Sequence, residues 1–378
     1  MDIRTTAEPQ RGGILILSGA FGTGHNSAAD ALIAQMAGCA APPAVRVDIL
    51  EQLLPRLSSR IYNAFRRVVE ETPEAFNLGY RQTSGDTGPI RLLEHPAVRR
   101  KAQVVFDRLI ERHRPRLVVS VLPFAGRLYD SYRRESGCGV PLCICITDAI
   151  AHAGWIAEGC ERYLVATEEV RGELLRCGVG ETRIAVTGIP VRPAFLAQHQ
   201  RSREKGEPRR LLVMGGGWGL MNHGPKVYRA LEALGGIETT VLTGSNETLL
   251  RQLQRNHPGL RAVGYTDRVP QHMAESDLLL SKAGGVTLFE AIHSHLPMLV
   301  EAPFLEQEHR NAQTVVQQGI GRVLEEGESP LSAIRDLLFE DEITPYRQRI
   351  ELLRSELLRL SPAEELLSLL CLPANAAM

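Results

Sequence analysis

The amino-acid sequence predicts an α/β protein with two domains, each built around a parallel β-sheet. Short apolar runs alternate with longer amphipathic stretches along almost the whole chain, which is typical of parallel strands connected by helices. The chain has 378 residues, and because one domain commonly takes about 150 residues, this length favours two domains. A charged stretch with almost no β-branched residues, LAQHQRSREKGEPRR, separates two series of apolar runs and is typical of a linker.

Each series of apolar runs supplies five predicted strands. The strands of the first half are Gly13 to Leu17, Leu117 to Leu122, Leu142 to Thr147, Tyr163 to Ala166 and Ile184 to Thr187. The strands of the second half are Leu211 to Met214, Thr239 to Leu242, Leu260 to Val263, Leu278 to Ser281 and Met298 to Val300. We expect a first domain at residues 1–196, a second at 209–345 and a boundary near 196–208. Residues 346–378 begin with a helical pattern, from Tyr346 to about Leu370, that can pack on either domain.

Composition and charge exclude several classes of protein. Hydrophobic residues make up 44% of the chain and charged residues 23%, with a mean hydropathy of -0.10, which excludes a disordered or fibrous protein. The 43 basic and 44 acidic residues give a net charge of -1, so no overall field attracts nucleic acid. The polar N-terminus lacks the apolar core of a signal peptide, and no run approaches the roughly 18 apolar residues of a membrane span. We therefore expect a cytoplasmic protein.

The cysteines agree with that location. Seven cysteines are an odd number spread thinly along the chain, which favours a reducing compartment over a secreted disulfide framework. Cys138, Cys143 and Cys145 form a cluster, but the last two lie within the apolar run PLCICIT, a predicted buried strand. Structural zinc sites use loops of the CxxC type, so we expect no metal there.

Both predicted domains open with a strand that runs into a glycine-rich turn and then a helix. The first sequence is GGILILSGAFGTGHNSAADAL, which includes Gly24, and the second is RRLLVMGGGWGLMNHGPKV, which includes Gly216 and Gly217. Glycine lets the backbone approach a ligand closely, and a helix N-terminus presents free N–H groups to an anion, so these glycines are predicted near a bound phosphate. A tight connection without a ligand explains either turn taken singly. Leu220 replaces the third glycine of GxGxxG, which disfavours a nicotinamide dehydrogenase.

A candidate site for a sugar nucleotide follows a later strand, in SKAGGVTLFEAIHSHLPMLVEAPFLEQEHRNAQ. A turn at Gly284 and Gly285 leads into a helix with Thr287 in its first turn, and a helix start suits a diphosphate. Glu290, one turn on, can accept hydrogen bonds from the vicinal hydroxyls of a ribose, although it can equally complement the helix dipole. The strand PMLVEAP then brings three further polar side chains to the same edge, where they can bind sugar hydroxyls: Gln307, Glu308 and Asn311.

These residues carry a family resemblance. The segments FGTGHNSAADAL, TDAIAHAGWIAEGCERYLVATEEV, VTGIPVRPAF, LLVMGGGWG, VGYTDRVPQHMAESDLLLSKAGGVTLFEA and EQEHRNA, in this order, resemble the monogalactosyldiacylglycerol synthases and processive diacylglycerol glucosyltransferases of glycosyltransferase family 28. The resemblance covers about residues 13–325. It implies a GT-B fold with two facing Rossmann-like domains, the acceptor bound by the first and a UDP-sugar by the second. It also implies inverting transfer without a metal ion or cofactor, and no Asp-x-Asp stands in these segments.

The resemblance assigns the donor site residue by residue. The implied contacts are Glu290 with the ribose, Gly284, Gly285 and Thr287 with the diphosphate, the backbone of Tyr265 with uracil, and Gln307 and Glu308 with the hexose. Many relatives have Pro-Gly before that glutamine, where this chain has Leu305 and Glu306. Glucose and galactose therefore both remain open as the donor sugar.

The resemblance also assigns candidate catalytic residues in the first domain. His25, in GTGH, resembles the catalytic histidine, since a neutral imidazole can take the proton from an acceptor hydroxyl that attacks the anomeric carbon. The alternative is a histidine that only caps the helix or binds the acceptor. Asp148, in TDAIAH with His152, can orient a catalytic group or cap the following turn. Some relatives have an aspartate where Ala20 stands, and Trp155 is expected to pack rather than contact the acceptor.

An insertion at about residues 51–116 suggests where the acceptor comes from. It has 13 Lys or Arg against 8 Asp or Glu, although the whole chain is nearly neutral. Five residues form an apolar helical stripe: Leu57, Ile61, Phe65, Val68 and Val69. Phe76 and Tyr80 continue it, and Arg60, Arg66 and Arg67 lie beside it. This pattern suits a helix lying on an anionic membrane. Periodicity alone favours a helix packed on the first domain. The segment SSRIYNAFRRVVEETPEAFNLGYRQTS resembles the lipid-admitting region of the family.

The leading prediction is an inverting glycosyltransferase, peripheral on the inner face of the cell membrane, that moves a hexose from a UDP-hexose to a diacylglycerol. Three alternatives remain open. The acceptor can be a soluble or natural-product hydroxyl compound, the chain can be a UDP-sugar 2-epimerase on a similar scaffold, or it can bind a UDP-sugar without catalysis.

Overall fold

The computed structural model describes residues 12–39, 41–72, 95–199, 204, 206–221, 225–303, 305–325, 327–340 and 342–371. The chain divides into two compact units, which are described separately. The first unit is Met1–Arg192 together with Leu360–Met378, and the second is Pro193–Arg359. These bounds differ from the expected domains, 1–196 and 209–345, because residues 193–199 pack with the second unit. There Arg354 donates hydrogen bonds to the carbonyl groups of Leu196 and Gln198, at 3.0 and 2.9 Å.

The first unit is built on a six-stranded parallel sheet with the order β2-β1-β3-β4-β5-β6. Its strands are β1 Ile14–Ser18, β2 Ala44–Asp48, β3 Leu117–Ser120, β4 Leu142–Cys145, β5 Arg162–Val165 and β6 Ile184–Val186. Its helices are α1 Gly24–Ala37, α2 Ile49–Leu53, α3 Ser58–Glu71, α4 Pro96–His113, α5 Pro123–Ser136 and α6 Glu168–Arg176, with single 3-10 turns at Ala153–Trp155 and Glu181–Arg183.

The second unit has a six-stranded parallel sheet with the order β12-β11-β10-β7-β8-β9, which is the order of a Rossmann fold. Its strands are β7 Arg209–Met214, β8 Ile237–Leu242, β9 Arg261–Val263, β10 Leu278–Ser281, β11 Met298–Val300 and β12 Gly321–Val323. Its helices are α7 Pro193–Leu196, α8 Pro225–Glu232, α9 Glu247–Asn256, α10 Val269–Ala274, α11 Gly285–His293, α12 Glu306–Gln317, α13 Pro330–Phe339 and α14 Thr344–Leu357.

Inner strands carry the core of each unit and match the predicted apolar runs. Every residue of β1, β3, β4 and β10 is buried, because a parallel strand covered on both faces needs apolar side chains in both directions. Two strands were not predicted, β2 (AVRVD) and β12 (GRV). Both lie at an edge of their sheet, and edge strands carry partly exposed polar side chains that interrupt an apolar run.

The C-terminal helical pattern, expected from Tyr346 to about Leu370, is divided in two. It forms α14 and a separate helix, α15 Pro362–Leu370, because proline lacks an N–H and disfavours a helical conformation at the preceding residue. The two helices pack in different units. Ile350 of α14 is buried in the second unit, while Ala363 and Leu366 of α15 join the core cluster of the first.

The topology of each sheet marks one position for a ligand. In open parallel sheets, ligands bind beyond the carboxyl ends of the strands where the strand order reverses. This point lies between β1 and β3 in the first sheet and between β7 and β10 in the second. The glycine-rich turns after β1, β7 and β10 therefore lie at the two switch points.

Candidate functional site

His25 lies at the switch point of the first sheet, in the first turn of α1 and directly after Gly24. Its Nδ1 is 2.9 Å from Oγ1 of Thr147, a buried residue just beyond the end of β4. On the other side of the turn, the hydroxyl of Ser18 donates to Oδ1 of Asn26 at 2.6 Å and ties the end of β1 to the helix. These contacts fix the imidazole at the carboxyl edge of the sheet.

The environment of His25 keeps its imidazole neutral. Burial lowers the pKa from 6.5 to about 4, and a hydrogen bond with the backbone of Val121 only partly offsets this. The side chain still retains partial exposure at the surface of the unit. A neutral, partly accessible imidazole at neutral pH can accept a proton from a bound hydroxyl group.

Asp148 and His152 lie in the loop after β4, which begins beside Thr147, the partner of His25. Burial raises the pKa of Asp148 and lowers that of His152, and the attraction between the two side chains opposes both shifts. Nδ1 of His152 accepts a hydrogen bond from the N–H of Gly154 at 3.1 Å and so caps the 3-10 turn. Glu173 of α6 accepts from the N–H of Ala151 at 2.7 Å and holds the same loop.

Trp155 connects the two histidines. Its indole ring is fully buried, and its centroid lies 6.5 Å from the ring of His25 and 6.2 Å from that of His152. Packing is thus the observed role of Trp155. The structure brings together His25, Asp148, His152 and Trp155, and it adds Thr147, which the sequence reasoning missed. The sequence did indicate Thr147, because it directly precedes Asp148 in the TD pair.

The glycine turn after β7 lies at the switch point of the second sheet. Gly216 approaches the side chain of Lys282, since a Cβ built on it would lie 3.3 Å from Cε of that lysine. The carbonyl of Gly217 accepts from the N–H and the hydroxyl of Ser245, at 2.9 and 3.1 Å. Gly219 has φ +64°, and a Cβ there would lie 2.0 Å from the carbonyl oxygen of Thr243, so only glycine fits. The next helix, α8, begins at Pro225, so this turn is not itself a helix start.

The predicted diphosphate turn leads from β10 into α11. Gly284 precedes the helix, Gly285 begins it, and Thr287 and Glu290 follow as partly exposed residues. Among the described residues, no side chain caps this helix start, so the first-turn N–H groups are available to an anion. The hydroxyl of Ser281 donates to the carbonyl oxygen of Met214 at 2.8 Å and joins the ends of β10 and β7.

Lys282 is a functional candidate that the sequence reasoning missed. It stands between the end of β10 and the turn at Gly284, and Nζ lies 3.4 Å from Oε1 of Glu308. Asn311, on the same helix as Glu308, donates to the carbonyl oxygen of Ala283 at 3.0 Å. Helix α12 is thereby held against the diphosphate turn, and Glu308 and Asn311 are buried there. The sequence did indicate Lys282, because a lysine stands there at the carboxyl end of a predicted strand and before a Gly-Gly turn.

Gln307 and Tyr265 are the remaining predicted donor-site residues. Gln307 belongs to α12, but its side chain lies outside the described residues. Tyr265 follows β9 at the edge of the sheet, and its side chain is 80% exposed. The expected contact of Tyr265 with uracil uses its backbone and not this exposed side chain.

The sequence led us to expect no metal ion at the cluster of Cys138, Cys143 and Cys145. Cys143 and Cys145 lie in the core of the first unit, where burial raises the pKa of both thiols. Within the described ranges, no group of three or more His, Cys, Asp or Glu side chains is placed to hold a metal ion.

Helix α3 divides the predicted apolar stripe between two sides. Val69 is buried and Phe65 packs on Phe21, whereas Leu57, which precedes the helix, and Val68 are 45% and 40% exposed. Arg60 and Arg67 are exposed, and the remaining part of the stripe at Phe76 and Tyr80 lies outside the described residues. In the part of the chain that the structure describes, no helix is long and apolar enough to cross a bilayer.

Comparison with known proteins identifies the family of both units. Residues 25–191 match the family model of monogalactosyldiacylglycerol (MGDG) synthase, and residues 210–346 match that of the glycosyltransferase family 28 C-terminal domain. The processive diacylglycerol beta-glucosyltransferase of Bacillus pumilus is 30% identical over 246 residues, which cover 62% of this chain and 64% of that protein. The matched part thus spans less than two thirds of the relative's length.

Solved structures show the same fold at low identity. The glycotransferase of kitacinnamycin has a TM-score of 0.64 and 16% identity, covering 97% of this chain and all of that chain. MurG of Acinetobacter baumannii has a TM-score of 0.57 and 13% identity, covering 95% and 99%. UDP-GlcNAc 2-epimerase of Neisseria meningitidis has a TM-score of 0.53 and 13% identity, covering 92% and 100%. The fold is therefore GT-B-like, and fold alone does not separate a transferase from an epimerase.

The order of the matching segments, the two parallel sheets and the two family models agree. The first unit therefore carries an MGDG synthase domain, and the second carries a glycosyltransferase family 28 C-terminal domain.

Proposed function

We propose that this protein transfers a hexose from a UDP-hexose to the hydroxyl group of a diacylglycerol-type lipid, with inversion at the anomeric carbon. The observation that carries the proposal is the edge of the second unit after β10. A buried strand, Lys282, an uncapped helix start and Glu290 follow one another there within one connection. A cation and free N–H groups suit a diphosphate, and a carboxylate one turn further suits a ribose.

Donor binding divides among the residues of this edge. The N–H groups of Gly285 and its neighbours, with Thr287 and Lys282, bind the diphosphate, and Glu290 accepts hydrogen bonds from the ribose hydroxyls. The backbone at Tyr265 binds the uracil ring, and Gln307 and Glu308 contact the hexose. The glycines of the β7 turn, Gly216 and Gly217, leave room for the phosphates beside Lys282.

The transfer itself needs a base and a stabilised leaving group. His25 accepts the proton of the lipid hydroxyl while the hydroxyl oxygen forms a bond to the anomeric carbon. The bond between that carbon and the phosphate oxygen breaks, and its electron pair leaves with UDP. Lys282 and the N–H groups of α11 stabilise the charge that develops on the diphosphate. Thr147 and Asp148 orient the imidazole, and no step requires a metal ion.

The acceptor proposal is supported by α3. Its exposed apolar residues, Leu57 and Val68, stand beside the exposed arginines Arg60 and Arg67, a combination suited to an anionic membrane surface. On the surface of a membrane the helix gives the protein access to a lipid that water does not dissolve. We therefore propose a peripheral association with the inner face of the cell membrane.

Two variants separate the donor site from the base. Glu290→Ala should weaken UDP binding about 10- to 100-fold in calorimetry, as expected for lost hydrogen bonds to a charged group. Glu275→Ala is the control, since Glu275 is exposed and lies before the opposite end of β10. His25→Ala should keep the UDP affinity and lower kcat about 100-fold or more. Unchanged UDP affinity in Glu290→Ala, or full activity in His25→Ala, would contradict the assignments.

The alternative functions give different products. A soluble-acceptor transferase would label a water-soluble glycoside, and a UDP-sugar 2-epimerase would convert the sugar nucleotide without any acceptor. A protein that only binds the UDP-sugar would do neither. The neutral imidazole of His25 favours transfer over binding alone, since a base is not needed to bind a sugar nucleotide.

A further inference from the structure

We propose that Tyr62 is a positioning residue that couples α3 to the glycine turn leading into His25, so that contact of α3 with lipid adjusts the catalytic turn. This inference rests on the proposed function, in which α3 contacts the membrane and His25 acts as the base. Its basis is a set of contacts from the inner side of α3, the side opposite the exposed residues Leu57 and Val68.

The first contact is a hydrogen bond to a fixed carboxylate. The hydroxyl of Tyr62 donates to Asp48, and it lies 2.7 and 2.8 Å from the two carboxylate oxygens. Asp48 ends β2 and also caps α2 by accepting from the N–H of Glu51 at 3.0 Å. The sheet therefore holds one end of the contact, and α3 carries the other.

The second contact joins Tyr62 to the turn between β1 and α1. The backbone of Ala20 faces the tyrosine hydroxyl group and acts to lower its pKa. A Cβ built on Gly19 would lie 3.2 Å from the tyrosine oxygen and 3.0 Å from Cδ2 of Leu122, so the turn passes closely between two side chains. Burial, and the bond to Asp48, raise the pKa of Tyr62, in agreement with a hydroxyl group enclosed by these partners.

Aromatic packing strengthens the same connection. The ring of Phe21, in the turn, meets the ring of Tyr62 edge to face at 4.9 Å and that of Phe65 at 5.2 Å. It also meets Phe124, at the start of α5, at 5.9 Å. Closely packed rings transmit a displacement instead of absorbing it, so a shift of α3 moves the turn. Only three residues separate Phe21 from His25, and α1 begins between them.

The chain offers a matched control for the hydroxyl of Tyr62. Tyr132 of α5 donates to Oδ1 of Asp107 of α4 at 2.8 Å, the same pair of groups at the same distance in the same unit. Tyr132→Phe therefore removes an equivalent hydrogen bond elsewhere. Tyr62→Phe removes the bond to Asp48 but keeps the ring that packs on Phe21. Phe21→Leu provides a second variant that weakens the aromatic contacts with an apolar side chain still in place.

Hydrogen–deuterium exchange of the peptide spanning Ser18 to Asn26 measures the coupling without sugar transfer. The probe is a vesicle of equal parts phosphatidylcholine and phosphatidylglycerol, with co-sedimentation showing how much protein is bound. In the wild type and in Tyr132→Phe, bound vesicles should change the exchange of this peptide. In Tyr62→Phe and Phe21→Leu, vesicle binding should persist, while the exchange no longer responds and is faster without lipid.

Kinetics provide the second readout. Tyr62→Phe should lower kcat for the vesicle-borne acceptor about tenfold, as expected for a displaced catalytic group, with an unchanged KM for the UDP-hexose. A vesicle response retained in Tyr62→Phe, or an equal loss in Tyr132→Phe, would overturn the coupling. If the wild type binds vesicles and its turn responds but no hexose is transferred, the proposed function fails while the coupling stands.

Discussion

The pH dependence of transfer tests whether His25 is the base in the environment that the structure gives it. Lowering the pH from 7.5 to 5.5 spans the ordinary histidine pKa of 6.5 but stays above the lowered value of about 4. With the lowered pKa, about 97% of the imidazole is neutral at pH 5.5, whereas with the ordinary pKa only about 9% would be. The two cases differ about tenfold in the active fraction at pH 5.5.

The direction of the pH dependence follows from the burial that shifts the pKa of His25. Burial disfavours the charged imidazolium, so the neutral base persists as the pH falls and is lost only near pH 4. Two neighbouring groups also titrate, and they are distinguished by mutation. Burial raises the pKa of Asp148 and lowers that of His152. If part of the fall in activity with pH belongs to the carboxyl group of Asp148, that part should disappear in Asp148→Asn.

The assay is kcat/KM for the UDP-hexose between pH 5 and pH 8, with the acceptor held at a fixed level. UDP-sugars carry a diphosphate diester that does not titrate in this range, and kcat/KM reports groups of the free enzyme. We expect less than a twofold fall between pH 7.5 and 5.5. A fall of about tenfold, with half of the activity lost near pH 6.5, would refute the buried neutral base.

Two further predictions concern stability and membrane binding. Gly219→Ala should lower the free energy of unfolding by about 3 kcal/mol, because its Cβ meets the Thr243 carbonyl at a positive φ. Gly235→Ala, where a Cβ meets nothing within 4 Å, should change it by no more than about 0.5 kcal/mol in urea denaturation. Replacing Leu57 and Val68 by Gln should reduce co-sedimentation with phosphatidylglycerol vesicles about tenfold, since two exposed apolar side chains contribute about 1–2 kcal/mol on insertion. A stable Gly219→Ala protein, or undiminished vesicle binding of the double variant, would contradict these interpretations.

The parts of the fold that depend on burial in both directions were predictable from the sequence. A strand such as β10, LLLS, has to be apolar throughout because helices cover both faces of the sheet, and its pattern shows this directly. The edge strand β2 escapes the same reasoning, because its identity depends on pairing with β1 rather than on a pattern of its own.

The candidate site shows a similar division. Motifs placed His25 and Glu290 at the start of helices, since a strand, a glycine turn and a helix are adjacent in the chain. The contact between His25 and Thr147 joins residues 122 positions apart, and the bond between Tyr62 and Asp48 depends on how α3 returns to the sheet. Such contacts arise from strand order and helix packing, which a single sequence does not encode locally.

Helix α3 carries a pattern that allows two interpretations. Its periodicity alone favoured packing on the first domain, and the family resemblance favoured a membrane surface. The structure divides the stripe, with Phe65 and Val69 turned to the protein and Leu57 and Val68 exposed. Which residues of the stripe face the protein depends on the elements that pack against the helix, and periodicity does not report those.

The central claim is the transfer of a hexose to a lipid hydroxyl group. The measurement that tests it most directly is incubation of the protein with UDP-hexose labelled in the sugar and with vesicles that contain diacylglycerol. Label in the organic phase is then counted against the UDP released. We expect one labelled hexose in the lipid for each UDP, joined through a β linkage, with UDP-glucose or UDP-galactose as the donor. Label that remains in water, as a soluble glycoside or an epimerised sugar nucleotide, would contradict it.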